Sequence, residues 1–88
     1  MYDWDPAKAE ANLIKHGVLM NAVERFDWRT AVVRFDEAHS ASENRYIAMG
    51  LIDGRLHVMS WTPRGAAIRV IGLRKANKRE MERYETQT

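Results

Sequence analysis

WTPRGAAIRVIGLRKANKREMERY, from Trp61 to Tyr84, is the stretch whose reading decides the fold. It runs as a turn, a strand and a helix. Thr62-Pro63-Arg64-Gly65 sets proline second and glycine fourth, the arrangement of a type I turn. Ala67 to about Arg74 is an apolar run with arginines set into it, and it reads as a strand. Consecutive strand residues point to opposite faces, so Ile68, Val70, Gly72 and Arg74 share one face and Arg69, Ile71 and Leu73 the other. Arg69 and Arg74 then lie on opposite faces unless a bulge, for instance at Gly72, resets the register. Asn77-Lys78-Arg79-Glu80 resembles a capping box and opens a helix over 77–85, with Met81 and Tyr84 as its docking pair.

Upstream, Arg45 to Ile52 and Arg55 to Thr62 are apolar runs joined by Asp53-Gly54, a strong hairpin signal. Before them, Thr30 to Phe35 reads as a strand with Ala31, Val33 and Phe35 on one face, and Asp27-Trp28-Arg29 as a break. Asn21 starts a short helix over 21–26 that packs Met20, Val23 and Phe26 inward. Asp5-Pro6 is a helix start and Gly17 a left-handed stop, giving a helix over 6–16. Ala7, Ala11 and Ile14 form its core stripe. Lys8, Asn12, Lys15 and His16 form a second stripe of groups that bind phosphate or move protons. The helix C-terminus there favours a protonated His16. Tyr2 to Trp4 can add a brief edge strand. Hairpin-linked strands with helices at both ends predict an α+β domain. Its sheet is small and antiparallel, of about four strands, with two N-terminal helices and one C-terminal helix.

Charge is unevenly spread. Residues 64–88 hold seven Lys/Arg and three acids, net +4, while residues 1–63 hold seven and nine, net −2. A basic C-terminal quarter is the footprint expected for a polyanion such as RNA or DNA, and equally describes a solvated helix face. The 88 residues make one small domain, 1–88, with no cysteine for disulfides or thiolate zinc. No apolar run approaches the ~20 residues of a membrane span. Asp3 and Asp5 stand where a secretory signal would be basic, so the expected location is the cytoplasm with no membrane partner.

Three segments together resemble the BrnT toxins of bacterial type II toxin–antitoxin systems. YDWDPAKAEANLIKHGV matches through Tyr2, Trp4, Asp5, Lys8, Asn12, Lys15, His16 and Gly17. HSASENRYIAMG matches through His39, Ser40, Glu43, Arg45 and Gly50. TPRGAAIRVIGLRKANKREMERYE matches through Thr62, Arg64, Gly65, Ile68 to Ile71, Arg74 to Ala76, Glu80 and Tyr84. Gly72-Leu73 stands where Ser-Ala is frequent, and Asp27-Trp28-Arg29 replaces an acidic-Pro turn. The resemblance implies a RelE-like fold and a ribonuclease that arrests growth. It also implies neutralisation by BrnA, a ribbon-helix-helix antitoxin, with operator DNA bound only through the complex.

Metal-free RNA cleavage needs a base for the 2′-hydroxyl, an acid for the leaving oxygen and cations for the phosphorane. Arg64, Arg69 and Arg74 suit the last role because the guanidinium fork makes bidentate bonds to phosphate. His16, Lys15, Glu43 and Tyr84 are the candidates for proton transfer, and the reference pKa of histidine lies nearest working pH. Lys8, Lys75, Lys78 and Arg79 are candidate RNA contacts. His16, Arg64, Arg69 and Arg74 are expected to converge on one anion-sized space. Each has a plainer reading: His16 as a helix cap, Arg69 in a buried pair, Glu43 paired with Arg45, Tyr84 as packing. His39 reads as a solvent residue and His57 as structural. No cofactor is expected. The three histidines lie far apart, Asp36 and Glu37 point to opposite strand faces, and Asp5 serves as a cap, so no metal site is expected either. A catalytically silent module that binds nucleic acid or antitoxin through the same face is the alternative.

Overall fold

A computed structural model describes residues 1–87. Asp5 caps the first helix by accepting a hydrogen bond from Ala7 N at 2.9 Å, and Pro6 occupies the first helical position, where no donor is needed. That helix, α1, spans Pro6–His16 and ends on Gly17 at φ 69°. Ahead of it, Tyr2–Asp3 form a two-residue strand, β1. The long strands are β2 (Phe26–Phe35), β3 (Tyr46–Ile52), β4 (Arg55–Arg64) and β5 (Ala67–Lys75), followed by the helix α2 (Lys78–Gln87).

The strands form one sheet in the order β1-β5-β4-β3-β2. From β5 to β2 each neighbour is antiparallel, as the hairpin signals predict. The expected all-antiparallel sheet of about four strands is corrected at the edge. β1 is a fifth strand, and it runs parallel to β5 with Tyr2 opposite Ile68 and Asp3 opposite Arg69. The brief edge strand expected at Tyr2 to Trp4 is present as Tyr2–Asp3; its parallel direction is what the alternation of residues does not announce.

The helices also depart from expectation. Residues Met20–Arg25 are a 3-10 helix, preceded by Leu19 with no side-chain cap, so Asn21 is not its cap. Met20, Val23 and Phe26 are buried as predicted. Asp27-Trp28-Arg29 does not break the chain but lies inside β2, where the register shifts between Asp27 and Val32. Thr30 carries the irregularity: its hydroxyl donates to Asp27 O at 2.6 Å and accepts from Leu51 N at 2.9 Å. In α1 the predicted stripe of Ala7, Ala11 and Ile14 faces outward, and Ile14 is 79% exposed. The helix lies along the outer edge of β5 beyond β1, so its inward residue must satisfy a backbone. Asn12 does this, donating to Leu73 O at 2.7 Å and Val18 O at 3.1 Å and accepting from Leu73 N at 3.0 Å. It supplies for one residue what a neighbouring strand would supply.

The turns follow glycine chemistry. Asp53 and Gly54 both have positive φ, 51° and 78°, which matches the two-residue hairpin between β3 and β4. The second turn lies later than predicted. Arg64 pairs with Ala67, so Gly65 (φ 59°) and Ala66 form the tip and Pro63 stays in β4 opposite Ile68. Proline is tolerated there because the pairing of β3 with β4 stops at Trp61.

Both sheet faces are covered in part. Val23, Ala48, Met59, Val70 and Leu73 pack with α1 and the 3-10 helix on one side. Leu56, Val58 and Ala76 pack with Met81 and Tyr84 of α2 on the other. Asn77 and Glu80 make the reciprocal capping box, Glu80 N to Asn77 Oδ1 at 2.8 Å and Asn77 N to Glu80 Oε1 at 2.9 Å.

Candidate nucleic-acid interface

The β5 strand contains the bulge that the sequence left conditional. Ser60 pairs with Gly72 and Trp61 with Val70, so Ile71 is the extra residue. Thr62 pairs with Arg69 and Val58 with Arg74. Arg64, Thr62, Ser60 and Val58 share one side of β4 by alternation. The bulge therefore puts Arg64, Arg69 and Arg74 on one face of the sheet, the face that carries α2. Val70 and Leu73, three residues apart, both turn into the opposite core. The same register sets Arg34 opposite Ile47, which pairs with Ser60, so Arg34 joins this face too. The stripe of Ala31, Val33 and Phe35 already places Arg34 on the other side of the strand, although no motif marks it as a site residue.

The arginines form a row. Arg64 and Val58, the partner of Arg74, are six residues apart on β4, roughly 20 Å at the usual strand rise. Their side chains cannot reach a single phosphate together; the spacing suits several phosphates along a strand of RNA. Each arginine of the row holds a carboxylate. Arg64 meets Glu43 at 3.5 Å, Arg69 meets Asp3 at 2.9 Å, and Arg74 takes both oxygens of Glu80 at 2.8 Å. Glu43 also accepts from Arg45 at 3.3 Å. The Arg74 fork is the strongest, being bidentate and partly screened from water. It holds the Glu80 carboxyl down to about 2, with the Asn77 N–H adding to the effect.

His16, Lys15 and Lys8 gather elsewhere. They line a cavity of about 300 Å³ with Ala11, Asn12, Ile71 and Gly72, along the outer edge of β5. His16 is exposed, and its pKa lies below the ordinary 6.5, through partial desolvation and then the charges of Lys15 and Arg74. The helix-end argument points the other way; the lowering comes first from desolvation, to which the charges of Lys15 and Arg74 add. Arg74 is close enough to His16 for its charge to be felt. Lys75, Lys78 and Arg79 are exposed around the β5–α2 junction. Tyr84 stands apart, over Leu51 and Leu56 at the β3–β4 hairpin end, and donates to Thr30 O. His57 is buried, with its ring nitrogen 2.7 Å from Arg55 O, and His39 lies 3.0 Å from the Asp36 carboxylate.

A small α+β domain with a row of arginines on a partly open sheet face has the build of a polyanion-handling protein. The family model of the ribonuclease toxin BrnT, of type II toxin–antitoxin systems, matches residues 4–80. The chain belongs to that family, and so is a ribonuclease toxin whose target is RNA and whose counterpart is an antitoxin. No curated protein matches it. No helix among the described residues is long and apolar enough to cross a membrane.

Proposed function

We propose that this toxin, as a single domain over 1–88, cleaves RNA without a metal ion, using the arginine row as its phosphate track. The carrying observation is the bulge at Ile71, which sets Arg64, Arg69 and Arg74 on one face. Phosphates displace the carboxylates that these arginines hold in the free protein, and the guanidinium groups then carry the charge that develops on the phosphorane. The 2′-hydroxyl is the nucleophile. His16 is the best placed of the proton-transfer candidates, because a lowered pKa leaves it neutral near pH 7 and able to accept a proton. Lys15 and Lys8 flank it, and Glu43 lies at the Arg64 end. Tyr84, engaged with a backbone carbonyl, is the weakest candidate. Among the described residues no three His, Cys, Asp or Glu side chains gather as ligands, and the cationic face repels a divalent ion while doing its electrostatic work.

The partner in this reading is a ribbon-helix-helix antitoxin of the BrnA kind, operator DNA is bound only through the complex, and the cytoplasm is the site of action. The RelE-like description of the fold belongs to the same reading. A silent binding module is the second reading, favoured by one observation: Arg64, Arg69 and Arg74 are each already paired with a carboxylate. One assay separates them. Purified protein incubated with single-stranded RNA in excess EDTA is expected to leave a 2′,3′-cyclic phosphate and a 5′-hydroxyl, and to spare DNA. Intact RNA supports the silent module; cleavage that needs magnesium overturns the metal-free mechanism.

A further inference from the structure

Beside the arginine row, a groove runs between the sheet and α2. A cavity of about 230 Å³ is lined by Val32, Val33, Arg34, Ile47, Met49, Arg83 and Gln87. A smaller one of about 60 Å³ shares Arg34, Ile47, Met49 and Arg83 with it and extends to Val58, Arg74 and Glu80. The floor is apolar, made by Ile47, Met49 and Val58, and the rim is cationic. Arg34 on β2 and Arg83 on α2 lie outside the row and differ from Arg64, Arg69 and Arg74. Neither side chain makes a hydrogen bond or ion pair among the described residues, although Arg83 lies in the field of Glu80. Arg64, Arg69 and Arg74 must release a carboxylate before taking a phosphate; Arg34 and Arg83 need release nothing.

We propose that this groove is a nucleotide subsite for single-stranded RNA. One unstacked base lies on the Ile47–Met49–Val58 floor, and Arg34 and Arg83 hold the two phosphates that flank it. The inference rests on the ribonuclease reading and adds where the strand is gripped outside the reacting phosphate. Charge complementarity selects the occupant. An apolar floor between two uncommitted guanidinium groups fits a flat base between two phosphates, the composition by which single strands are held without a duplex groove. Continuity with Arg74 lets the same strand pass from this subsite onto the arginine row.

The test compares the full chain with an Arg34→Gln/Arg83→Gln double variant, and with Arg25→Gln as control, since Arg25 is engaged with Asp53 at the β3–β4 turn. The probe is a 2′-O-methylated single-stranded RNA, whose blocked nucleophile allows binding to be measured without cleavage. The double variant is expected to bind about tenfold or more weakly, with a log–log salt slope shallower by about 1.4, at ~0.7 for each phosphate lost on a single strand. Cleavage of ordinary RNA at saturation should keep its kcat while KM rises, because neither residue touches the reacting atoms. In a series of probes with one abasic position each, one position should lower wild-type affinity by about fivefold or more, the lower end of stacking values. Circular dichroism of the double variant should match wild type, both side chains being exposed. Equal affinity and slope in wild type and double variant, with wild type binding and cutting RNA, overturns the subsite alone. So does a double variant that loses antitoxin binding but not RNA binding, which would make the groove an antitoxin seat. Wild type that neither binds nor cuts RNA overturns both readings.

Discussion

Arg74 and Glu80 show how one side-chain pair ties stability to the site. Glu80 closes the capping box of α2 and clamps Arg74, so it fastens the helix to the end of β5 while fixing a guanidinium on the proposed RNA face. Its folded pKa, about 2, lies below the ordinary 4.5. A depressed carboxyl pKa contributes stability above the unfolded value and loses it as pH falls through the folded one. Glu80→Gln is therefore expected to lower urea stability by about 1–2 kcal/mol at pH 7, the size of a charge-assisted hydrogen bond partly open to water. The gap from wild type should close as the pH is lowered from 4.5 towards 2. Arg74→Ala should reduce the single-turnover cleavage rate by about 10²-fold or more, as for loss of one preorganised donor to a developing charge, with the thermal transition still cooperative. His16 makes a separate claim. If its neutral imidazole is the base, the acid limb of the pH–rate profile lies below 6.5, and His16→Asn removes that limb; a limb above 6.5 would contradict the lowered pKa.

At the level of elements, the least legible contacts were those between an element and a backbone. Asn12 sat in a stripe of phosphate-binding residue types, yet it is buried and occupied entirely by Leu73 and Val18. Nothing in α1 alone reveals that its neighbour is an open strand edge rather than an apolar surface, and this is why the inward stripe was misplaced. Asn12→Ala should cost about 1–3 kcal/mol, the penalty of leaving buried backbone groups unpaired, whereas the exposed Ile14→Lys should stay within about 0.5 kcal/mol; chemical denaturation measures both. Gly50 offers a second check. A Cβ there would stand 2.6 Å from the Phe26 ring, so Gly50→Ala should destabilise by about 1–3 kcal/mol through overpacking. Local chemistry was legible where it was self-contained: the Asp5 and Asn77 caps, the Gly17 stop and the Asp53-Gly54 hairpin stand where the sequence placed them, and each of the four long strands contains most of its expected run. The parallel pairing of β1 with β5 and the extension of β2 back to Phe26 depend on pairing partners distant in the chain, whereas the later turn at Gly65-Ala66 follows from Pro63 staying in β4 opposite Ile68. The candidate site divided the same way. The arginines were recognisable by type, but their arrangement as a row, and the inclusion of Arg34 and Arg83, needed the register.

For the whole molecule, the arginine row and the exposed apolar side chains at the end of β2 lie on different faces. The arginines occupy the α2 side, while Val33 and Phe35, 47% and 45% exposed, point to the other side from the edge strand β2. The outer edge of β2 is unpaired in the sheet order, and long apolar edges promote self-association. Phe35→Lys is therefore expected to shift sedimentation of the isolated chain towards monomer, and an unchanged distribution would clear this edge of that role. Nuclease activity should survive the change, since Phe35 packs on Tyr46 away from the arginine row. The bulge at Ile71 has a consequence of another kind. It acts as a phase slip in β5, so the strand carries two reading frames, one ending at Val70 and one beginning at Gly72. Deleting Ile71 would merge them without turning anything over: Val70 and Leu73, then two residues apart, would still face the core, and Arg69 and Arg74, then four apart, would still share the other face. One residue inserted between Gly72 and Leu73 would do the opposite, turning Leu73 out to water and Arg74 in towards the space it vacates, and should be as damaging as the loss of an arginine.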